Sequence, residues 1–230
     1  YVNTHDQSGN TKYFRWKYEE TWEFHSVYQS EYMYDSDSEK VVKLNKQIYD
    51  CWQHNNSTDI IINNTANLNQ NEMKDMPLLF IPNGSYKLSY LYSLYVKQYA
   101  MDSVGYNYFR QLKKNTEETG SIFDPQPGNL KGNIFNTVDS TEIVVGYIGA
   151  GRTFSTRQFF KIPWNYFEDC AEQISVPNIK DSLKAYLESG GYWPLEPEPN
   201  PFTVTSWTSA RKLCVDCTLR GTNLKPSYWP

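Results

Sequence analysis

Residues 11–25 read TKYFRWKYEETWEFH. Even positions carry Phe14, Trp16, Tyr18, Glu20, Trp22 and Phe24, and odd positions carry Tyr13, Arg15, Lys17, Glu19, Thr21, Glu23 and His25. Successive side chains of a strand point to opposite faces, so this alternation puts aromatics on one face and mainly charges on the other. The segment reads as a long strand of an antiparallel sheet with one wet face. Glu20, the exception on the aromatic face, is expected to mark a bulge or a bend. An aromatic face this wide has to be covered, because large exposed apolar patches are uncommon on soluble monomers. Part of the cover is expected from residues 86–101 and part from a domain upstream of Tyr1.

Working outward, residues 86–101 (YKLSYLYSLYVKQYAM) read as a second long strand, with Leu and aromatic residues on both faces. Residues 57–63 read as a short strand, and the apolar segment 76–81 ends at the turn signal PNG. Asp102 or Ser103 is placed to cap a helix over 103–118, with Tyr106, Phe109 and Leu112 on one stripe and Gly120 at its end. Three further strands are expected at 130–137, 141–150 and 152–162, the last two joined by a hairpin turn in GYIGAG, residues 146–151. Asn178 is placed to cap a second helix over 179–188, with Ile179, Leu183, Tyr186 and Leu187 on its stripe. Residues 194–201 (PLEPEPNP) suggest a rigid exposed connector of polyproline character. The fold class is mainly β (α+β): an antiparallel β-sandwich or barrel-like domain with two short helices, spanning residues 1–230 as a single domain.

Composition narrows the function. The net charge is -4, from 22 Lys and Arg against 26 Asp and Glu, which gives no basic footprint for nucleic acid. No apolar run is long enough for a membrane-spanning helix. The 19 Tyr, 11 Phe and 7 Trp make 16% of the chain. Sheet core and cross-strand pairing account for such a content first, and an aromatic ligand platform second.

The four cysteines, Cys51, Cys170, Cys214 and Cys217, suit two structural disulfides in an oxidising compartment. A bridge from Cys170 to the tail and the local Cys214–Cys217 bridge paired with Cys51–Cys170 are both compatible with the spacing. The CVDC spacing also occurs in redox pairs and zinc sites, but no amphipathic helix follows it and no second ligand pair accompanies it.

Motifs of catalysis are missing. His5, His25 and His54 have no metal spacing, and there is no nucleophile elbow or phosphate loop. DSDSE at 35–39 lacks the later glycine and glutamate of a calcium loop and reads as an exposed acidic turn. Glu19 and Glu20 lie on opposite faces of a strand and cannot share a proton. The expectation is a protein that is not an enzyme, with no catalytic residue, no metal and no cofactor.

Two unusual blocks, NTEETGSIFDPQPGNLKGN at 115–133 and CVDCTLRGTNLKPSYW at 214–229, stand with YFRWKYEETWEF, CW at 51–52 and VKQYAMDSVGYNYFRQLKKN. Together they closely resemble domain-of-unknown-function family 4249, whose members are Bacteroidota lipoproteins. The resemblance implies an outer-membrane, lipid-anchored protein on the periplasmic or cell-surface face, held to the membrane only through an anchor outside this chain. It implies an immunoglobulin-like domain upstream, so that this chain is the C-terminal portion. It further implies an accessory binding role beside a TonB-dependent outer-membrane transporter, with an unknown small ligand. The alternative is an independent glycan- or peptide-binding adhesin. The signature residues are Asp124, Pro125 and Pro127 in the first block and Arg220 and Trp229 in the second. They read first as structural, Asp124 accepting turn N–H groups and Arg220 and Trp229 packing the tail back, with a partner or ligand surface as the alternative.

Overall fold

The computed structural model describes residues 1–6, 8–117, 130, 132–139, 141–161, 169–199 and 203–230. Among them the protein is mostly β, with antiparallel pairing and a few short helices. The strands are β1 Val2–His5, β2 Tyr13–His25, β3 Tyr32–Asp35, β4 Lys40–Lys43, β5 Asp50–Asn56, β6 Ile61–Asn64, β7 Glu72–Met76 and β8 Tyr92–Met101. They continue with β9 Thr153–Phe160, β10 Gln173–Pro177, β11 Tyr192–Pro199 and β12 Val204–Arg211. The helices are α1 Ser103–Glu117, α2 Lys180–Leu183, which widens into a π-helical segment at Lys184–Ser189, and α3 Lys212–Val215. The largest sheet has the order β5-β2-β8-β9, with β6 also on β2, and a second has the order β10-β12-β11.

The chain divides into two compact units. Unit 1 holds Tyr1–Glu20, Asn55–Pro82 and Leu94–Gln158; unit 2 holds Thr21–His54, Asn83–Ser93 and Phe159–Pro230.

In unit 1 the period-two pattern of β2 sets the core. Phe14, Trp16 and Tyr18 are buried with Met73, Met76 and Leu78, and Val2, Ile61, Leu79, Leu94 and Val96 pack around them. Each such aromatic contributes about 2–3 kcal/mol by leaving water. The indole of Trp16 donates to Gln98 Oε1 at 2.9 Å, so its polar edge is satisfied inside the core. Along β1 and β7 the register shifts between Val2 and Thr4, and Asp75 takes φ +50° there while its N–H donates to the Asn3 side chain. The expected cover from residues 86–101 is present as Leu94 and Val96.

In unit 2 the same face of β2 continues as Trp22 and Phe24, both buried, with Tyr86 edge-on to each ring. Leu183 and Leu187 of the second helical segment are buried with Val176 and Trp207. Its other two stripe positions, Ile179 and Tyr186, stay exposed. A separate cluster holds Ile48, Leu195, Ala210 and Val215.

Two disulfides lie in this unit, Cys51–Cys217 and Cys170–Cys214. Cys170 is tied to the tail, and the local Cys214–Cys217 bridge is not formed. The Arg220 guanidinium lies 5.1 Å from the Phe24 ring centroid. Trp229 is buried, donates to Glu23 Oε2 and meets the Phe159 ring edge-on. Asp124, Pro125 and Pro127 lie outside the described residues.

Several expected elements are corrected. The strand expected from residue 86 begins only at Tyr92. Ser85 instead caps a single 3-10 turn over Tyr86–Leu88, and Ser89 Oγ donates back to the Tyr86 carbonyl. Short polar side chains offer the backbone local partners that compete with a ladder.

The same competition removes the strands expected at 130–137 and 141–150, whose described residues are irregular. Asn136 Oδ1 accepts from Val138 N, Asp139 Oδ1 accepts from Thr141 N, and the Asn133 amide bonds both backbone groups of Ile148. GYIGAG therefore joins no pair of strands.

Residues 194–199 are not a free connector but most of β11. Its prolines are tolerated because β11 is an edge strand with register shifts at Pro194/Glu196 and Glu198/Pro199. Asn178 does not cap α2; it donates to Val204 O and accepts from Trp207 Nε1.

The outer bridge spans 166 residues and the inner one 44. Loop-closure entropy assigns them about 5 and about 4 kcal/mol. Replacing Cys51 and Cys217 together by Ala should therefore cost the larger amount in guanidinium unfolding, and replacing Cys170 and Cys214 the smaller.

Candidate functional site

The charged face of β2 is not wet along its whole length. In unit 1, helix α1 brings aromatic side chains to it: Tyr106 lies 5.1 Å from the Tyr13 ring, and Phe109 lies under Arg15. Arg15 stands opposite Ile62 of β6, and its guanidinium carbon is 4.0 Å from the Phe109 ring centroid. Its Nε is buried without a hydrogen-bond partner. Among the described residues the guanidinium has no carboxylate partner either. Burial pushes the Arg15 guanidinium below its ordinary range, while the Tyr99 phenol beside it acts in the opposite direction.

Arg15 opens into a cavity of about 480 Å³. Tyr99 to Asp102 at the end of β8, Phe109 on α1, and Tyr147 with Gly149 to Gly151 supply most of its wall. Asp102 is fixed twice. Its Oδ1 accepts from Gly105 N at 2.6 Å, which caps α1, and from the Tyr147 hydroxyl at 2.9 Å. These two bonds, the backbone one first, hold the Asp102 carboxyl below the usual carboxylate range. Burial, and then the bond to Asp102, pushes the Tyr147 phenol up.

The Tyr147 ring stacks on Tyr108 and meets Phe109 edge-on. A Cβ at Gly105 would stand 2.6 Å from the Tyr147 hydroxyl, and one at Gly151 would stand 2.1 Å from Ala100 O. Glycine is needed at both places so that the loop can close against α1 and β8. That is the local reason for Gly151, which closes the segment that resembled a hairpin turn in the sequence.

The described lining has neither histidine nor cysteine, and its one carboxylate is occupied as a cap. What remains is a fixed cation, phenol and phenyl walls and Thr153, an arrangement suited to holding a molecule. No described group of His, Cys, Asp or Glu could hold a metal ion.

A second cleft of about 430 Å³ lies in unit 2 beside Tyr28, Gln29, Tyr49, Gln173, Glu196 and Thr208. It is lined by amide, hydroxyl and carboxylate groups, with no cation.

Among the described residues, no site residue read from the sequence lines the unit 1 cavity. The cysteines, Arg220 and Trp229 all belong to unit 2. Arg15 and Phe109 were visible only as members of a charged face and a helix stripe. The signal that could have joined them is an arginine on a strand face that an aromatic helix stripe must also cover.

Comparison with known proteins places the chain. The sequence pattern of a family described as a domain of unknown function (DUF4249) matches residues 1–157. The chain belongs to the DUF4249 family. The matched span contains every described lining residue of the unit 1 cavity, from Arg15 to Thr153, whereas the block at 214–229 lies beyond it. No curated protein and no solved structure matches this DUF4249 chain.

Two substitutions test the geometry. Arg15→Met replaces a cation unpaired among the described residues by an apolar side chain of similar length, and without ligand it should be neutral or up to about 2 kcal/mol more stable in denaturant unfolding. Asp102→Ala should cost about 1 kcal/mol at neutral pH through the lost cap. Because the folded carboxyl is held down, that stability is complete above the ordinary Asp value of about 3.9. The gap between wild type and Asp102→Ala should close as pH falls below that value through the folded pKa.

Proposed function

We propose that this DUF4249 chain is a binding module, not a catalyst, of an outer-membrane lipoprotein, and that it serves a TonB-dependent outer-membrane transporter as an accessory component. The observation that carries the binding reading is the unit 1 cavity, where a guanidinium unpaired among the described residues faces Tyr99, Phe109 and Tyr147. An uncompensated, partly desolvated cation lowers stability, so its place in a preformed pocket suits a ligand that completes it. The two disulfides suit an oxidising compartment outside the cytoplasm. The transporter partner and the lipid anchor come from the family resemblance.

The cleft in unit 2 favours a second reading, a glycan-binding adhesin. Gln29, Gln173 and Thr208 offer donors and acceptors of the kind that sugar hydroxyls use, and Tyr28 and Tyr49 offer ring faces.

One experiment separates the two. The tagged protein is crosslinked in its native cells and recovered from the outer membrane. The accessory reading expects a TonB-dependent transporter as the main crosslinked partner. Recovery without any such transporter, together with glycan binding lost in Gln173→Ala, would replace it by the adhesin reading.

A further inference from the structure

The unit 1 cavity carries enough chemistry to name a ligand class. Stacking on Phe109 occupies one flat face of the Arg15 guanidinium and leaves its N–H edge. The Arg15 side chain lines the cavity and makes neither a hydrogen bond nor an ion pair among the described residues, so its terminal N–H groups are unused. Two parallel N–H groups on a planar edge match the two oxygens of a carboxylate. The one carboxylate in the described wall does not fill this role: Asp102 makes no ion pair with Arg15, and its Oδ1 accepts from Gly105 N and from the Tyr147 hydroxyl. Three aromatic side chains, Tyr99, Phe109 and Tyr147, stand in the described wall beside small and aliphatic residues. A volume of about 480 Å³ lies within the range of small-molecule pockets.

We propose that this cavity binds a small organic monocarboxylate, its acid group on the guanidinium edge of Arg15 and its apolar or ring portion against Tyr99, Phe109 and Tyr147. The inference rests on the reading of the chain as a binding module and gives that module its ligand class. A monoanion fits better than phosphate. One guanidinium supplies too few donors for a phosphate dianion, and the Asp102 charge in the same wall opposes a second negative charge.

The test is calorimetric titration of the full chain with benzoate, benzamide and inorganic phosphate. Benzamide keeps the planar ring and loses the charge. Benzoate should bind saturably, with benzamide and phosphate each weaker by at least about tenfold. Arg15→Met should abolish benzoate binding. Arg15→Lys, which keeps the charge but loses the two-donor edge, should weaken it by about tenfold.

Equal affinity for benzoate and benzamide, undiminished binding in Arg15→Met, or no saturable benzoate binding would overturn the proposal. Tighter phosphate binding would overturn the carboxylate assignment. Should Arg15→Met fail to fold, the comparison of the three probes on the unaltered protein decides alone. The crosslinking readout is separate. A transporter recovered without benzoate binding removes only the ligand class, and Arg15-dependent benzoate binding without a transporter removes only the accessory role.

Discussion

The separation of the two faces of β2 is the constraint on which most of this protein depends. One strand carries five aromatic side chains on one side, and all five are buried. In unit 1 that face recruits Met73, Met76 and Leu78 from β7 and the chain after it; in unit 2 it recruits Tyr86 and Arg220. A slip of one residue would turn this set to the other side of the sheet and bury the charges in its place. The other face is equally constrained. Where α1 covers it, an arginine selected for a wet surface becomes a half-buried cation with a ring beneath it.

That arrangement separates what stabilises the fold from what gives it a use. The aromatic face is satisfied within the chain, down to the indole of Trp16 on Gln98. Arg15 is not. Its neighbours fix its position without neutralising it, and Asp102, which could have done so, caps the helix and anchors Tyr147. Rigid support with an unfilled partner position is the pattern of a prepared binding group.

How much of this was legible follows from what each signal measures. Alternation over residues 11–25 is a long, local pattern, and β2 appears over nearly the same residues. The cap and apolar stripe likewise placed the start of α1 at its expected residue, Ser103. Failures came where short polar side chains or prolines settled the outcome. Asn133, Asn136 and Asp139 bond to nearby backbone and remove two expected strands, because hydrophobic periodicity does not register such bonds. The prolines of 194–199 read as a connector because the sequence does not say which strand is an edge. The cavity was invisible for a related reason. Its parts lie on β2, α1 and a glycine-containing loop, and only the glycine contacts at Ala100 and Tyr147 show why they meet.

The bridges are nested: Cys170–Cys214 lies inside the loop closed by Cys51–Cys217. A chain that is oxidised as it emerges from its N-terminus presents Cys51 first and Cys170 next. The earliest pair it can form is thus the wrong one. Native pairing requires either that Cys51 stay reduced until Cys217 has emerged, or that an early 51–170 bond be exchanged later through a mixed disulfide. Assembly of this protein therefore depends on delayed oxidation of Cys51 or on thiol–disulfide exchange, a dependence that a chain pairing its cysteines in consecutive order would not have.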